Sequence, residues 1–241
     1  MVGALSAMPR TVGKQPRFAG FDRDAPQFFH ELAIEMNRDW FAANKPRYLA
    51  QWMAPMTALL AGVAARLAPV YAPIRIGAPD IFRIHRDTRF ARDKTPYKTH
   101  IAGRLPLHAR KPIDGGCSAL FLEFGLDDDY AGVGTYFFDP AQLARWRRQV
   151  AADATGAPLA RLIARLRRAG YRVGGHDDYK RVPRGLPPDH PRADLLRMRG
   201  LTAAFPELPR GLLHEPALLD WLVRHARATA PLVTWLYRTL R

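Results

Sequence analysis

Cysteine occurs once in the 241 residues, at Cys117, so the chain offers neither an intrachain disulfide nor a thiolate zinc cluster. Lysine is almost as scarce, six residues against 31 arginines, and the 22 acids leave a net charge of +15. No apolar run reaches the eighteen or so residues of a membrane helix. The opening "MVGALSAMPRTVGKQPRF" carries too short an apolar stretch for a secretory signal. Motifs are missing too: there is no G-x-S-x-G, no H-E-x-x-H and no P-loop. These absences describe a soluble, cytoplasmic protein with no membrane partner and no recognisable cofactor motif. We expect a loose tail over residues 1–17 and a single domain over 18–241.

An excess of positive charge points to anionic partners, either a small ligand or nucleic acid. Much of the arginine, with the abundant alanine and proline, also fits the drift of a GC-rich genome, and the surplus then lies on solvated surface. Lysines retained in such a chain are more informative, because an ammonium is a compact donor with a tunable pKa. Two of the six, Lys94 and Lys98, fall inside one segment, "RIHRDTRFARDKTPYKTH", residues 83–100. That segment holds Arg83, Arg86, Arg89, Arg92, Lys94 and Lys98, answered only by Asp87 and Asp93.

Around it the periodicity predicts helices, then strands, then helices. "FDRDAPQFFHELAIEM" has Asp24 as a cap, Pro26 in the first turn, and Phe28, Phe29, Leu32 and Met36 at helical spacing. A longer helix follows from Asn37, started or kinked at Pro46 and Pro55, with Trp40, Phe41, Tyr48 and Trp52 as core. From residue 80 the period becomes two. "DIFRI", "PYKTHIAGRLPL", "SALFLEFGL" and "DDDYAGVGTYFF" read as strands of an antiparallel meander. "DPAQLARWRRQVAAD" is a helix capped by Asp139, and "APLARLIARLRRAG" a second ending at Gly170. Residues 171–210 are loop-rich, with strand-like pieces at 171–173 and 201–205 that extend the sheet. Two helices close the chain, the second beginning at Pro231. The fold class is α+β, an antiparallel sheet flanked by N-terminal and C-terminal helices.

If residues 81–85 and 97–105 are neighbouring strands, the cations of the connection converge with those at the strand ends. Arg86 and Arg89 can then fork onto a phosphate or carboxylate, with Arg83, Lys94 and Lys98 adding charge. Asp87 braces one guanidinium, and Tyr97 donates a hydroxyl or stacks. A second reading is an Arg–Asp network that pins a long loop, and a third is a diffuse solvated face. Asp87 and Glu123, a carboxylate among Phe121, Leu122 and Phe124, are the candidates for acid–base or orienting roles. Gly132 and Gly134 share one face of their strand and favour close packing there. "DHP" at 189–191 is read as a helix cap. "HDD" at 176–178 has no second ligand at metal spacing, so no metal site is assigned.

The run Arg83-x-x-Arg86-Asp87-x-Arg89-Phe90, with Lys94-x-Pro96-Tyr97-Lys98-Thr99, resembles the signature of a domain-of-unknown-function family from bacteria and fungi. "FAGFDRDAPQFFHEL", "NRDWFAANKPRY", "GVGTYFFDPAQLARWR" and "KRVPRGLPPDHPRADLLRMRGL" are similar to that family's other segments, so the likeness spans about residues 18 to 240. His100 departs from it, since many relatives carry Asn. The resemblance implies a single domain of this layout and brings no activity or cofactor. Three functions remain: a small-anion binder using Arg83, Arg86, Arg89, Lys94, Tyr97 and Lys98; an interaction or structural protein braced by the motif; and a nucleic-acid-binding module. Oligomeric state has no signature in the sequence.

Overall fold

The computed structural model describes residues 17–90, 92–107 and 117–240, so all of the expected tail but Arg17 lies outside the described residues. Helix α1 runs Ala25–Glu35 and buries Phe28, Phe29 and Leu32. Asp24 occupies its cap position but adopts helical angles and makes no cap bond; instead Asp22 Oδ1 accepts from the Asp24 amide at 2.9 Å. Helix α2 (Arg38–Tyr48) is capped by Asn37, whose side chain accepts from the Trp40 amide. It continues through a wide turn, Leu49–Met53, into α3, Ala54–Tyr71. In that turn the Ala54 amide reaches back five residues to Leu49 O. Pro55 lacks the donor that Gln51 O would otherwise receive, so widening the helix there relieves the clash without breaking it. Trp40 packs on Phe28, while Phe41, Tyr48 and Trp52 are buried, so these aromatics are core.

Helix α3 carries one charge, Arg66, and the continuous Arg38–Tyr71 helix is long and apolar enough by length and composition to cross a membrane. The sequence reading overlooked this because alanine, glycine and threonine dilute the run. In the fold Met56, Leu59, Leu60, Val63 and Leu67 face the core.

Six strands form one antiparallel sheet: β1 (Asp80–Ile81), β2 (His100–Pro106), β3 (Ala119–Gly125), β4 (Tyr130–Thr135), β5 (Arg172–Gly174) and β6 (Leu201–Ala204). Their order is β1-β2-β3-β4-β6-β5. The meander of β2, β3 and β4 is as expected, and the two short pieces extend it. Period-two alternation sends Ile101, Leu105, Leu120, Leu122, Phe124 and Val133 into the core. Paired across the register on the other face are Ala102 with Glu123, Arg104 with Phe121, and Phe121 with Gly132. The Tyr130 hydroxyl lies where a Cβ on Gly132 would stand, at 2.6 Å, so this glycine serves packing.

Helix α4 (Pro140–Ala151) begins with a complete capping box between Asp139 and Gln142. Helix α5 spans Asp153–Arg168, starting several residues earlier than the pattern suggested, and Gly170 follows with φ +89°. A single turn, α6, covers Ala193–Leu196. Asp189 does not cap it; the cap residue is Arg192, whose amide donates to His190 Nδ1. Arg192 is buried and its guanidinium binds Val150 O, Ala151 O and Asp153, closing the end of α4. The expected pair of terminal helices is one helix, α7, Ala217–Thr239, with Pro231 inside it. The apolar positions Leu222, Val223, Ala226, Ala230, Val233 and Leu236 keep one helical phase across Pro231, so core packing holds both halves in line.

Candidate functional site

The basic segment is a side excursion from the sheet edge. Strand β1 is two residues long; the chain bends at Ile84 and pairs again where His85 bridges Tyr97. Arg86 N donates to Pro96 O and Lys98 N to Ile84 O, both at 2.9 Å. Residues 84–86 and 96–98 are thus the stem, and the loop between them carries the charges.

Half of the segment's six cations are spent internally. Arg86 Nη1 donates to Asp93 Oδ2 at 2.6 Å and to Thr95 Oγ1 at 2.9 Å. Asp93 also accepts from the Thr95 amide and hydroxyl, at 2.9 and 3.0 Å. Arg89 forks onto Asp87 through Nε at 3.0 Å and Nη2 at 2.7 Å. With Arg89 as its main partner, the Asp87 carboxyl is held well below its ordinary range, at about 2. Lys94 Nζ donates to Thr88 O at 2.8 Å. Tyr97 is buried and stacks on Phe41, with ring centres 4.6 Å apart, so its ring anchors the stem to the helical layer.

Arg83, Arg92 and Lys98 are different: among the described residues none of them has an ion pair or a side-chain hydrogen bond, and of the three only Lys98 is half-buried. Lys98 is half-buried at the end of the stem, two residues before β2 begins at His100. Burial, the main cause, pushes its ammonium below the ordinary value; Arg83 and Arg86 add to this, and Glu123 opposes it. Glu123 is partly buried on β3, and its Oε2 lies 3.7 Å from His100 Nε2. His100 is lowered chiefly by burial, with Lys98 and Arg86 pushing the same way against Glu123 and Asp127. His85 is lowered by burial and then by Arg83, Lys45 and Arg38. Where the stem runs into β2, Lys98, His100 and Glu123 therefore lie in one another's field, with Arg86 acting on both Lys98 and His100 and Arg83 on Lys98; His85, paired with Tyr97 and packed on Phe41, answers instead to Arg83, Lys45 and Arg38.

Of the expected ligand residues, Arg83, Arg86 and Lys98 come together here. Arg89, Lys94 and Asp87 form the outer loop, and Tyr97 points into the core. The sequence reading missed Arg38, Lys45, His85 and His100. The helical spacing of Arg38 and Lys45 gives no sign that they approach a stem some forty residues later, and the place of His100 beside Glu123 rests on strand register. Phe90, at the loop tip, is 94% exposed beneath the Arg89 guanidinium. The HDD segment is dispersed: His176 bonds Thr202, and Asp177 pairs with Arg199. Among the described residues no group of three His, Cys, Asp or Glu side chains is placed to hold a metal.

An α+β protein with a basic, partly self-neutralised stem at one sheet edge is the class these features define. The model of the conserved hypothetical protein family DUF2461 matches residues 24–235, and the chain belongs to that family. Searches of the curated proteins and of the solved structures each found no match.

Proposed function

We propose that the protein binds a small phosphate- or carboxylate-bearing anion at the stem of the basic segment, with Lys98 and Arg83 as primary contacts and Arg86 contributing its outer edge. One observation carries this reading: in a segment where Arg86, Arg89 and Lys94 each have an internal acceptor, Lys98 has none among the described residues and, unlike the exposed Arg83 and Arg92, is half-buried. A partly desolvated cation beside two guanidiniums is a standing electrostatic cost, which a bound anion would offset. Arg38 and Lys45 extend the positive field from α2, and His100 beside Glu123 supplies a neutral donor. Arg89, Lys94 and Tyr97 then act by shaping the loop and stem that present the site. Glu123 is the acid–base candidate within reach, whereas Asp87 is committed to Arg89.

The internal pairs favour a second reading, in which the whole segment braces the fold. A thermal-shift panel of sugar phosphates, nucleotides and carboxylates at fixed ionic strength separates the two. An anion at a hundredfold its dissociation constant adds about 2.7 kcal/mol, roughly 5 to 11 °C for a chain of this length. A selective shift that disappears in Lys98→Ala supports binding. A flat panel would leave bracing as the role.

A further inference from the structure

The three long helices of the C-terminal half carry charge of nearly one sign. Helix α4 has three arginines, α5 four and α7 three, against two acids, Asp153 and Asp220. Both acids are already paired, Asp153 with Arg192 and Asp220 with Arg66. On α5, Arg161, Arg165 and Arg168 recur at i, i+4 and i+7, which is one helix face. On α7, Arg227 and Arg238 are eleven residues apart, again one face, and Arg224 lies one turn from Arg227. All six are exposed, and none has a carboxylate within 4 Å among the described residues. A genome-wide drift toward arginine accounts for number but not for this alignment without counter-charges.

The two rows border a shallow furrow between α5 and α7. It consists of two adjoining depressions of about 640 and 490 Å³ that share Pro158 and Pro231. Arg227 and Arg238 line the first, and Arg161, Arg165 and Arg168 the second. The floor is Ala154, Ala230, Leu162 and the two prolines, with the half-buried Trp235 at one end.

From these features we infer that the furrow is a docking surface for the phosphate backbone of a nucleic acid. Guanidiniums fork onto phosphate oxygens, and two rows without internal partners leave their donors for that use. The shallow floor discriminates among polyanions. Of the exposed large apolar side chains, Ile34, Leu49, Phe90, Tyr136, Phe137 and Tyr179, none lies on α5 or α7. A lipid surface would use such groups for insertion, and an acidic protein partner would use them as anchors. A backbone read by charge uses neither, and its binding is insensitive to sequence and steep in salt.

The test is fluorescence anisotropy of a labelled mixed-sequence DNA strand of about 20 nucleotides, long enough to span such a site, titrated with the full chain across a salt series. Charge reversal at Arg161, Arg165 and Arg168 should weaken binding at least tenfold. It should also reduce the slope of log affinity against log salt by about 2, the loss expected for three phosphate contacts on a single strand. Reversal of Arg17, Arg75 and Arg210 changes net charge equally and should leave affinity within about twofold if the contacts are local. Circular dichroism confirms that each variant is folded, and Lys98→Ala, which removes the proposed small-anion contact, should bind the strand normally. Equal weakening by both triple variants would overturn the proposal in favour of diffuse attraction. So would the absence of binding at low salt, equal competition by polyglutamate, or preferential binding to phosphatidylserine vesicles.

Discussion

His100 Nε2 and Glu123 Oε2 face each other diagonally across β2 and β3 at 3.7 Å, beyond hydrogen-bond reach but within each other's field. Glu123 thereby raises His100 against the burial that lowers it, and it does the same for Lys98. Replacing Glu123 with Gln removes the one carboxylate that acts on both Lys98 and His100 among the described residues. The imidazole of His100 should then titrate lower still, which an NMR titration of its ring protons would read directly. Sulfate affinity should rise severalfold, because an anion no longer meets a like charge. A fall in affinity would mean that Glu123 orients the cations.

The two lysines of the motif should behave oppositely. Lys98→Ala should abolish the sulfate-induced thermal shift while leaving the melting temperature of the free protein unchanged or raised, since a half-buried cation without a close partner is removed. Lys94→Ala loses its bond to Thr88 O and should preserve sulfate binding, at a stability cost of about 0.5–1.5 kcal/mol. Calorimetric titration and thermal melts of both variants decide this. If Lys98→Ala instead melts early and Lys94→Ala stops binding, the assignments are reversed.

His100 beside Lys98 and His85 on the α2 side of the stem are both lowered from 6.5, which fixes the sign of a pH effect. Above that value both folded and unfolded chains hold neutral imidazoles, and the groups contribute nothing to stability. Below it the unfolded chain takes up protons that the folded chain refuses, so stability falls as pH drops. A bound sulfate favours the charged imidazoles, so its affinity should rise over the same interval. Melting curves between about pH 7 and 5, with and without sulfate, should diverge as the histidines begin to charge. A His85→Gln, His100→Gln variant should bring the curves parallel.

Legibility in the sequence tracked how local each determinant was. The capping box of α4 is written in Asp139, Pro140 and Gln142, and the meander follows from period-two alternation with short turns. Pro231 looked like a helix start because its local rule is strong, yet the apolar phase on either side of it was the better guide. At the site, proximity of Lys94 and Lys98 in sequence suggested a common role. The hydrogen bonds separate them, and the choice of Arg89 over Arg83 or Arg86 as the partner of Asp87 is made by a tight turn at 87–89 that no residue type announces. The approach of Glu123 to His100 rests on strand register, and that of Arg38 and Lys45 on tertiary packing.

Gly134 should be irreplaceable for a backbone reason. It has φ +137°, and a Cβ there would lie 2.2 Å from Leu201 O on β6. Gly134→Ala should cost roughly 1–3 kcal/mol in backbone strain alone, with the clash against a neighbouring strand added to it. Urea denaturation should show a midpoint lowered beyond that of Gly174→Ala, where a Cβ meets nothing within 4 Å.

The outer loop offers a test of bracing that is independent of any ligand. Asp87 receives two bonds from the Arg89 guanidinium and a third, at 3.3 Å, from the Arg89 amide, closing a tight turn just before the exposed Phe90. Because the pair is exposed, Asp87→Asn should barely move the global melting temperature. Its effect should be local: the amide cannot hold the guanidinium fork, and the turn should open more often. Limited trypsinolysis, which cuts after arginine, should therefore nick the chain after Arg89 faster in the variant. Since the carboxyl is lowered from 3.8, the brace is complete above that pH and lost as pH falls toward 2, a window that hydrogen exchange of the Arg89 amide can follow. Unchanged cleavage and exchange in Asp87→Asn would mean that the stem and the Arg86–Asp93 pair hold the loop unaided, leaving Arg89 available as a ligand contact.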